Sequence, residues 1–110
     1  MNEAEFNALA DAELARLEAC LEALLDHCDT DIDYELKPGG IIEIEFENGS
    51  KIIVNRHSAA REIWLAARSG GFHYRPVEGR WVGTREGDDF YQTLSRCMSE
   101  QAGEPITLAP

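Results

Sequence analysis

The chain has 110 residues, 44% of them apolar, and carries 21 Asp and Glu against 10 Lys and Arg, for a formal charge of -11. That length suits one domain spanning residues 1–110 and one core, and so acidic a balance argues against a phosphate backbone as partner, because that needs clustered Lys and Arg to displace counterions. The charge is lopsided too: residues 1–50 hold fourteen acids against Arg16 and Lys37, whereas residues 51–110 hold seven acids against eight bases, which points to a cation or a basic partner on the acidic half.

No run approaches the roughly 18 apolar residues of a membrane helix, and the N-terminus lacks the pattern of a secretory signal. A soluble, unprocessed, cytoplasmic protein is expected. Cys20, Cys28 and Cys97 are odd in number, form no C-x-x-C pair and sit at apolar positions. They are expected as core residues in a reducing compartment, not as a disulfide framework or zinc site.

In chain order, Phe6, Leu9, Ala10, Leu14, Leu17, Leu21, Leu24, Leu25 and Cys28 recur at steps of three and four, which predicts an amphipathic helix from about Glu3 to Cys28 with these residues on its buried face. At about 100° per residue, Asp11, Glu18, Glu22, Asp26 and Asp29 fall within a sector of roughly 80° on the solvent side. Asp31, Asp33 and Glu35 then alternate with Ile32, Tyr34 and Leu36, so a strand carries the acidic stripe onward. These three acids do not make an EF-hand with Asp29, because Tyr34 and Gly40 occupy the positions where Gly and Glu are needed.

After Pro38-Gly39-Gly40, Ile42, Ile44 and Phe46 alternate with Glu43, Glu45 and Glu47 in a second strand, and Asn48-Gly49 predicts a type I′ hairpin turn with φ > 0 at both residues. Lys51–Arg56, Ile63–Ala66, Phe72–Arg75 and Trp81–Thr84 read as further strands, with turns at Gly70-Gly71 and Gly79. A second helix should be capped by Asp88 or Asp89, bury Phe90, Leu94, Cys97 and Met98, and stop at Gly103. Ile106-Thr107-Leu108 is a last strand or a packed tail. The predicted class is α+β: a two-layer αβ sandwich with N- and C-terminal helices on one face of an antiparallel sheet of about five to six strands, leaving Trp64 or Trp81 exposed on the other.

Several segments together resemble the frataxin family, most closely its bacterial iron-binding members. They are Asn2–Leu9 (NEAEFNAL), Asp29–Asp33 (DTDID), Ile44–Arg56 (IEFENGSKIIVNR), Ile63–Ala66 (IWLA) and Ser69–Tyr74 (SGGFHY), extended by Trp81, Arg85–Gly87 and Gln101–Glu104. The resemblance covers essentially the full length and departs from the family at His57, where relatives usually carry Gln.

It implies a non-enzymatic regulator of iron–sulfur cluster assembly that binds Fe2+ or Fe3+ on an acidic ridge and contacts a cysteine desulfurase and its scaffold complex, as a monomer in the absence of iron. The implied iron ligands are Asp11, Glu18, Glu22, Asp26, Asp29, Asp31 and Asp33. Carboxylates are hard oxygen ligands, and an open row of them should bind iron weakly and admit other divalent and trivalent cations. Glu18 and Glu22 would also dock the desulfurase, while Asn55, Trp64 and His73 lie on the implied contact face of the sheet. From the residues alone, an acidic helix face is usually a solvated surface, and it stays open whether Trp64 is a core or a surface residue and whether His73 is an ordinary strand residue or part of a contact. His27 is read as packing beside the stripe. Rival functions are an acidic interaction module with incidental metal binding and a ferroxidase, although no Glu-x-x-His pair builds a di-iron centre and no nucleophile pair is evident.

Overall fold

The structure is a computed structural model that describes every residue except Cys28, so the expected helix end and core place of that residue lie outside the described residues. The described residues form helix α1 (Glu3–His27), strands β1 (Ile32–Lys37), β2 (Ile41–Phe46), β3 (Lys51–His57), β4 (Glu62–Ala67), β5 (Gly70–Val77) and β6 (Arg80–Gly83), and helix α2 (Phe90–Ala102). The strands pair in chain order as one antiparallel sheet. Alternate strand residues point to one face, where Ile42, Ile44, Ile52, Val54, Ile63, Leu65, Tyr74 and Trp81 join Phe6, Ala10, Leu17 and Leu21 of α1 and Phe90, Leu94, Cys97 and Met98 of α2 in one core. Burying such side chains stabilises by about 1.5–3 kcal/mol each. Both helices therefore cover one face, and the other is left open.

Residue by residue, the stripe of α1 is narrower than its spacing suggests. Phe6, Ala10, Leu17 and Leu21 are buried, Leu14, Leu24 and Leu25 only partly, and Leu9 is 45% exposed. Leu9 lies at the margin of the stripe, about 60° round the helix from Phe6. The buried place between Ala10 and Leu17 goes to Glu13, whose carboxylate accepts the Tyr91 hydroxyl of α2 and lies 3.8 Å from Arg16. Burial and the bond to Glu13 both push the Tyr91 hydroxyl upward. Cys97 is buried and Cys20 half-buried, and the Cys20 thiol is raised chiefly by burial.

The hairpin turns differ from the expected chemistry at two places. Asn48-Gly49 is not a type I′ turn: only Gly49 has positive φ (85°), in a three-residue loop closed by Gly49 N–H to Phe46 O and Phe46 N–H to Ser50 O, both at 2.9 Å. Asn48 is held at both ends of its amide, its Oδ1 accepting from Ser50 N at 2.9 Å and its Nδ2 donating to Gln101 O at 2.8 Å. A two-residue hairpin loop with positive φ at both residues occurs instead at Glu78 (51°) and Gly79 (80°), between β5 and β6; Gly39 and Gly40 are also both positive, in the three-residue link from β1 to β2. Gly70 and Gly71 open β5, and the chain reverses at Arg68-Ser69.

Helix α2 starts at the cap Asp89, which accepts from Gln92 N, and ends at Gly103 in the left-handed region (φ 75°), as the sequence predicts. Ile106 and Leu108 form a packed tail without strand pairing; their N–H groups donate to Ser99 Oγ and Ser95 Oγ at 2.8 and 2.9 Å. Tyr74 and Thr93 donate their hydroxyls to Asp88. Burial pushes the Asp88 carboxyl up, but these two bonds outweigh it and hold it below its ordinary range. Gly83 leaves room for that carboxylate, since a Cβ there would lie 2.0 Å from Asp88 Oδ1.

Gln101 fastens α2 to two hairpins. Its side chain is buried and donates to Ser50 Oγ (3.0 Å) and Lys51 O (3.2 Å) while accepting from Arg68 N (2.9 Å). Gln101→Ala orphans these groups, and a buried unsatisfied polar group costs about 1–3 kcal/mol. The expected result is a loss of about 2–3 kcal/mol in urea unfolding with an unchanged slope; a loss below ~0.5 kcal/mol, the scale of ordinary surface substitutions, would contradict this role.

Candidate metal centre and docking face

Helix α1 displays Asp11, Glu22 and Asp26 in solvent, with Glu18 half-buried among them. They are not equivalent. Arg56 reaches from β3 to donate to Asp11, so that carboxylate already has a cation. Glu22 accepts the hydroxyl of Tyr34, which ties the second half of α1 to β1. The bond to Glu22, then burial and the Glu22 and Glu18 charges, push the Tyr34 hydroxyl up to about 12.

Beyond the helix, Asp29 and Asp31 are exposed in the link and Asp33 is exposed on β1. Ile32 and Tyr34 share the core-facing side with their partners Phe46 and Ile44, so Asp33 and Glu35 point to the open face, opposite Glu45 and Glu43. The acidic stripe therefore divides at the β1 edge, with the α1 carboxylates on the helix layer and the strand carboxylates on the open side. Asp31, Asp33, Glu45 and Glu47 line one shallow hollow there. Glu45 and Glu47 were not singled out in the sequence; the alternation in β2, combined with the register, is the signal that finds them.

Like charges directly opposite each other destabilise an antiparallel pair, and the sheet relieves this unevenly. Glu43 is clamped by Lys37 at 2.6 Å and Lys51 at 2.8 Å, and these two bonds hold its carboxyl down at about 2. Asp26, Asp29, Asp31 and Asp33 take no basic partner among the described residues. Nor do three or more His, Cys, Asp or Glu side chains converge into a cage for an ion among the described residues. The donor set is hard oxygen on an open surface, which suits a partly hydrated cation held by one or two carboxylates at a time.

The open face carries the other predicted residues in one cross-strand row: Asn55 on β3 lies opposite Trp64 on β4, and Trp64 opposite His73 on β5. Trp64 is half-exposed and its side chain is on the open face, whereas Trp81 is 5% exposed and packs edge-on against Phe6. His73 is half-exposed. His57 and Glu62 belong to the same group, stacked on Trp64 and bonded to its indole N–H respectively. Among the described residues no helix is long and apolar enough to cross a membrane.

A family model described as a frataxin-like domain matches residues 1–104. An iron-sulfur cluster assembly protein CyaY of Dechloromonas aromatica is 56% identical over 108 residues, covering 98% of this chain and 99% of that protein. The protein of the same name from Cupriavidus necator is 49% identical over 108 residues, covering 98% and 96%. Among solved structures, frataxin from Psychromonas ingrahamii superposes with a TM-score of 0.81 at 33% identity, over 100% of both chains. Trimeric frataxin of Saccharomyces cerevisiae, complexed with ferrous, superposes at 0.74 and 28% identity over 87% of each chain.

Tyr34, Tyr74 and Tyr91 are all raised, the first by its bond to Glu22 and the other two chiefly by burial. Tyrosinate ultraviolet absorbance should therefore stay absent through pH ~10, where a free tyrosine is half-ionised, and Tyr34 should ionise first, near 12. Glu22→Gln should bring that first step down. An ordinary step near pH ~10 in the unmutated protein would show that Tyr34 does not hold the ridge.

Proposed function

Because this chain belongs to the frataxin family, we propose that it is a non-catalytic, iron-binding regulator of iron–sulfur cluster assembly in the cytoplasm. The observation that carries the reading is the set of exposed carboxylates Asp26, Asp29, Asp31 and Asp33, which take no basic partner among the described residues, flanked by Glu18 and Glu22. Fe2+ or Fe3+ enters this run as cargo, bound weakly and largely hydrated, and other divalent or trivalent cations compete for it. Glu18, Glu22, Asp26, Asp29, Asp31 and Asp33 supply the oxygens. Asp11 contributes least, since iron must first displace the Arg56 guanidinium from it. Binding at Glu22 likewise competes with the Tyr34 hydroxyl.

The same ridge docks on a basic patch of a cysteine desulfurase through Glu18 and Glu22, and the row Asn55, Trp64 and His73 faces the scaffold of the assembly complex. An exposed indole on a rigid strand suits an interface anchor, being large and low in conformational freedom. Iron and desulfurase would then compete for one surface, so that iron supply is read out as a change in docking. The ferrous-bound yeast relative supports iron as the ligand, and the protein works as a monomer until iron is bound.

The test is a triple charge reversal, Glu18→Lys with Glu22→Lys and Asp26→Lys. These side chains lie outside the core, so the fold should survive. Desulfurase docking should disappear, iron affinity should fall by roughly tenfold or more, equal to about 1.4 kcal/mol, and docking of the unmutated protein should weaken steeply as salt shortens the screening length to about 8 Å. A folded triple variant that retains both affinities overturns the ridge reading. Retained iron binding with lost docking favours the acidic interaction module.

A further inference from the structure

One arrangement on the open face is used by neither iron nor the ridge. Three rings stand side by side across β3, β4 and β5. His57 and Trp64 have centroids 3.9 Å apart and planes 13° apart, and Trp64 and His73 lie at 4.5 Å and 11°. Imidazoles therefore cover both faces of the indole. Its N–H is fixed by Glu62 Oε1 at 2.8 Å.

Charged groups face the stack from several elements; beyond β6, Arg85 and Glu86 share a hollow with His73. From β4, Glu62 sets Oε1 3.4 Å from His73 Nδ1; from β5, Arg75 lies 3.8 Å from Glu62 Oε2. On β3, Arg56 is turned away to Asp11, and in the β3–β4 turn Arg61 donates to Ser58 O. Asn55, the neighbour of Trp64 across the ladder, is neutral.

The two imidazoles meet a proton differently. Ala60 N–H donates to His57 Nδ1 at 3.2 Å, which requires a lone pair on that nitrogen. A proton taken up there sets two N–H groups against each other and removes one of the bonds that close the turn, the other being Arg61 N–H to Ser58 O at 3.1 Å. His73 Nδ1 faces a carboxylate instead, so a proton there gains a charge-assisted contact with Glu62, whereas the cation–π contact with the indole is open to both rings. Histidine changes charge between about pH 5 and 8.

We propose that His57 and His73 form a proton-responsive clamp on Trp64. As pH falls, His73 tightens on the indole through Glu62, while His57 releases Ala60 and loosens the β3–β4 turn beside Trp64. The clamp deepens the reading of the open face as a docking surface and rests on that reading for its biological use. Its test needs no partner, so failure of the clamp and failure of docking are separable.

The experiment is an NMR titration of the isotopically labelled full chain from about pH 8 to about pH 5, following the Ala60 amide, both indole N–H signals and all imidazoles. The expected result is an upfield shift of the Ala60 amide together with a shift of the Trp64 indole N–H that track protonation of His57, while the buried Trp81 indole stays still. His57→Gln, at a half-exposed position that does not endanger the core, should abolish the Ala60 shift. His73→Gln should retain it and lose the Glu62-linked part of the Trp64 shift. Ala60 and Trp64 signals that stay fixed while both imidazoles titrate would overturn the clamp, as would an undiminished Ala60 shift in His57→Gln.

Discussion

Mutual repulsion among the fourteen carboxylates of the first fifty residues is the constraint on which the rest of this structure turns. The fold answers it locally. Lys37 and Lys51 take Glu43, Arg56 takes Asp11, Tyr34 takes Glu22, and Tyr91 with Arg16 takes the buried Glu13. Apart from Arg16, which pairs within α1, each donor comes from another element and so fixes a piece of the tertiary structure; the lysines and Arg56 also offset charge, whereas the tyrosine hydroxyls hydrogen-bond without cancelling it. Asp26, Asp29, Asp31 and Asp33 have no such donor among the described residues, and Asp33 additionally faces Glu45 across the ladder. Glu18 and Glu22 beside it and Glu45 and Glu47 next to it on the sheet form no ion pair either among the described residues, so the physical content of the ridge is a local concentration of carboxylates without cations.

The sheet separates this chemistry from the core. Because one face of the sheet supplies the core beneath the helices, a side chain on the other face can be polar, charged or aromatic without disturbing packing. Trp64 and Trp81 show the consequence: two tryptophans on β4 and β6 end on opposite sides, one anchoring the core against Phe6 and the other standing on the open face. Gln101 and Asn48 bind α2 to the hairpins at several points, which holds the open face on a rigid frame. A docking surface built there spends little on ordering itself.

Much of this architecture was legible in the sequence because local chemistry and tertiary need agree. Asp89 and Gly103 bound α2 as their cap preferences predict, and the strand alternation places the core on the correct face. Where the two disagree, tertiary contacts win. Asn48-Gly49 has the composition of a type I′ turn, yet Asn48 is engaged by Ser50 and α2, and that turn geometry appears at Glu78-Gly79 instead. Leu9 fits the apolar period but falls at its margin, while Glu13 is buried because a tyrosine from a distant helix satisfies it. The ridge residues could be read from helical and strand periods taken separately. Their division at the β1 edge, the addition of Glu45 and Glu47, and the pairing of His57 with Trp64 depend on register, which no single segment contains.

The central claim is that cations bind where carboxylates lack partners. It is tested most directly by anaerobic titration of the labelled protein with Fe(II) at physiological salt, reading backbone amides residue by residue. The account predicts that signals from Glu18 to Asp33 shift or broaden first, that Asp11, held by Arg56, follows later, and that Asn55 and Trp64 stay quiet. A first response at Asn55, Trp64 and His73, or none along the ridge until iron is in large excess, would contradict it.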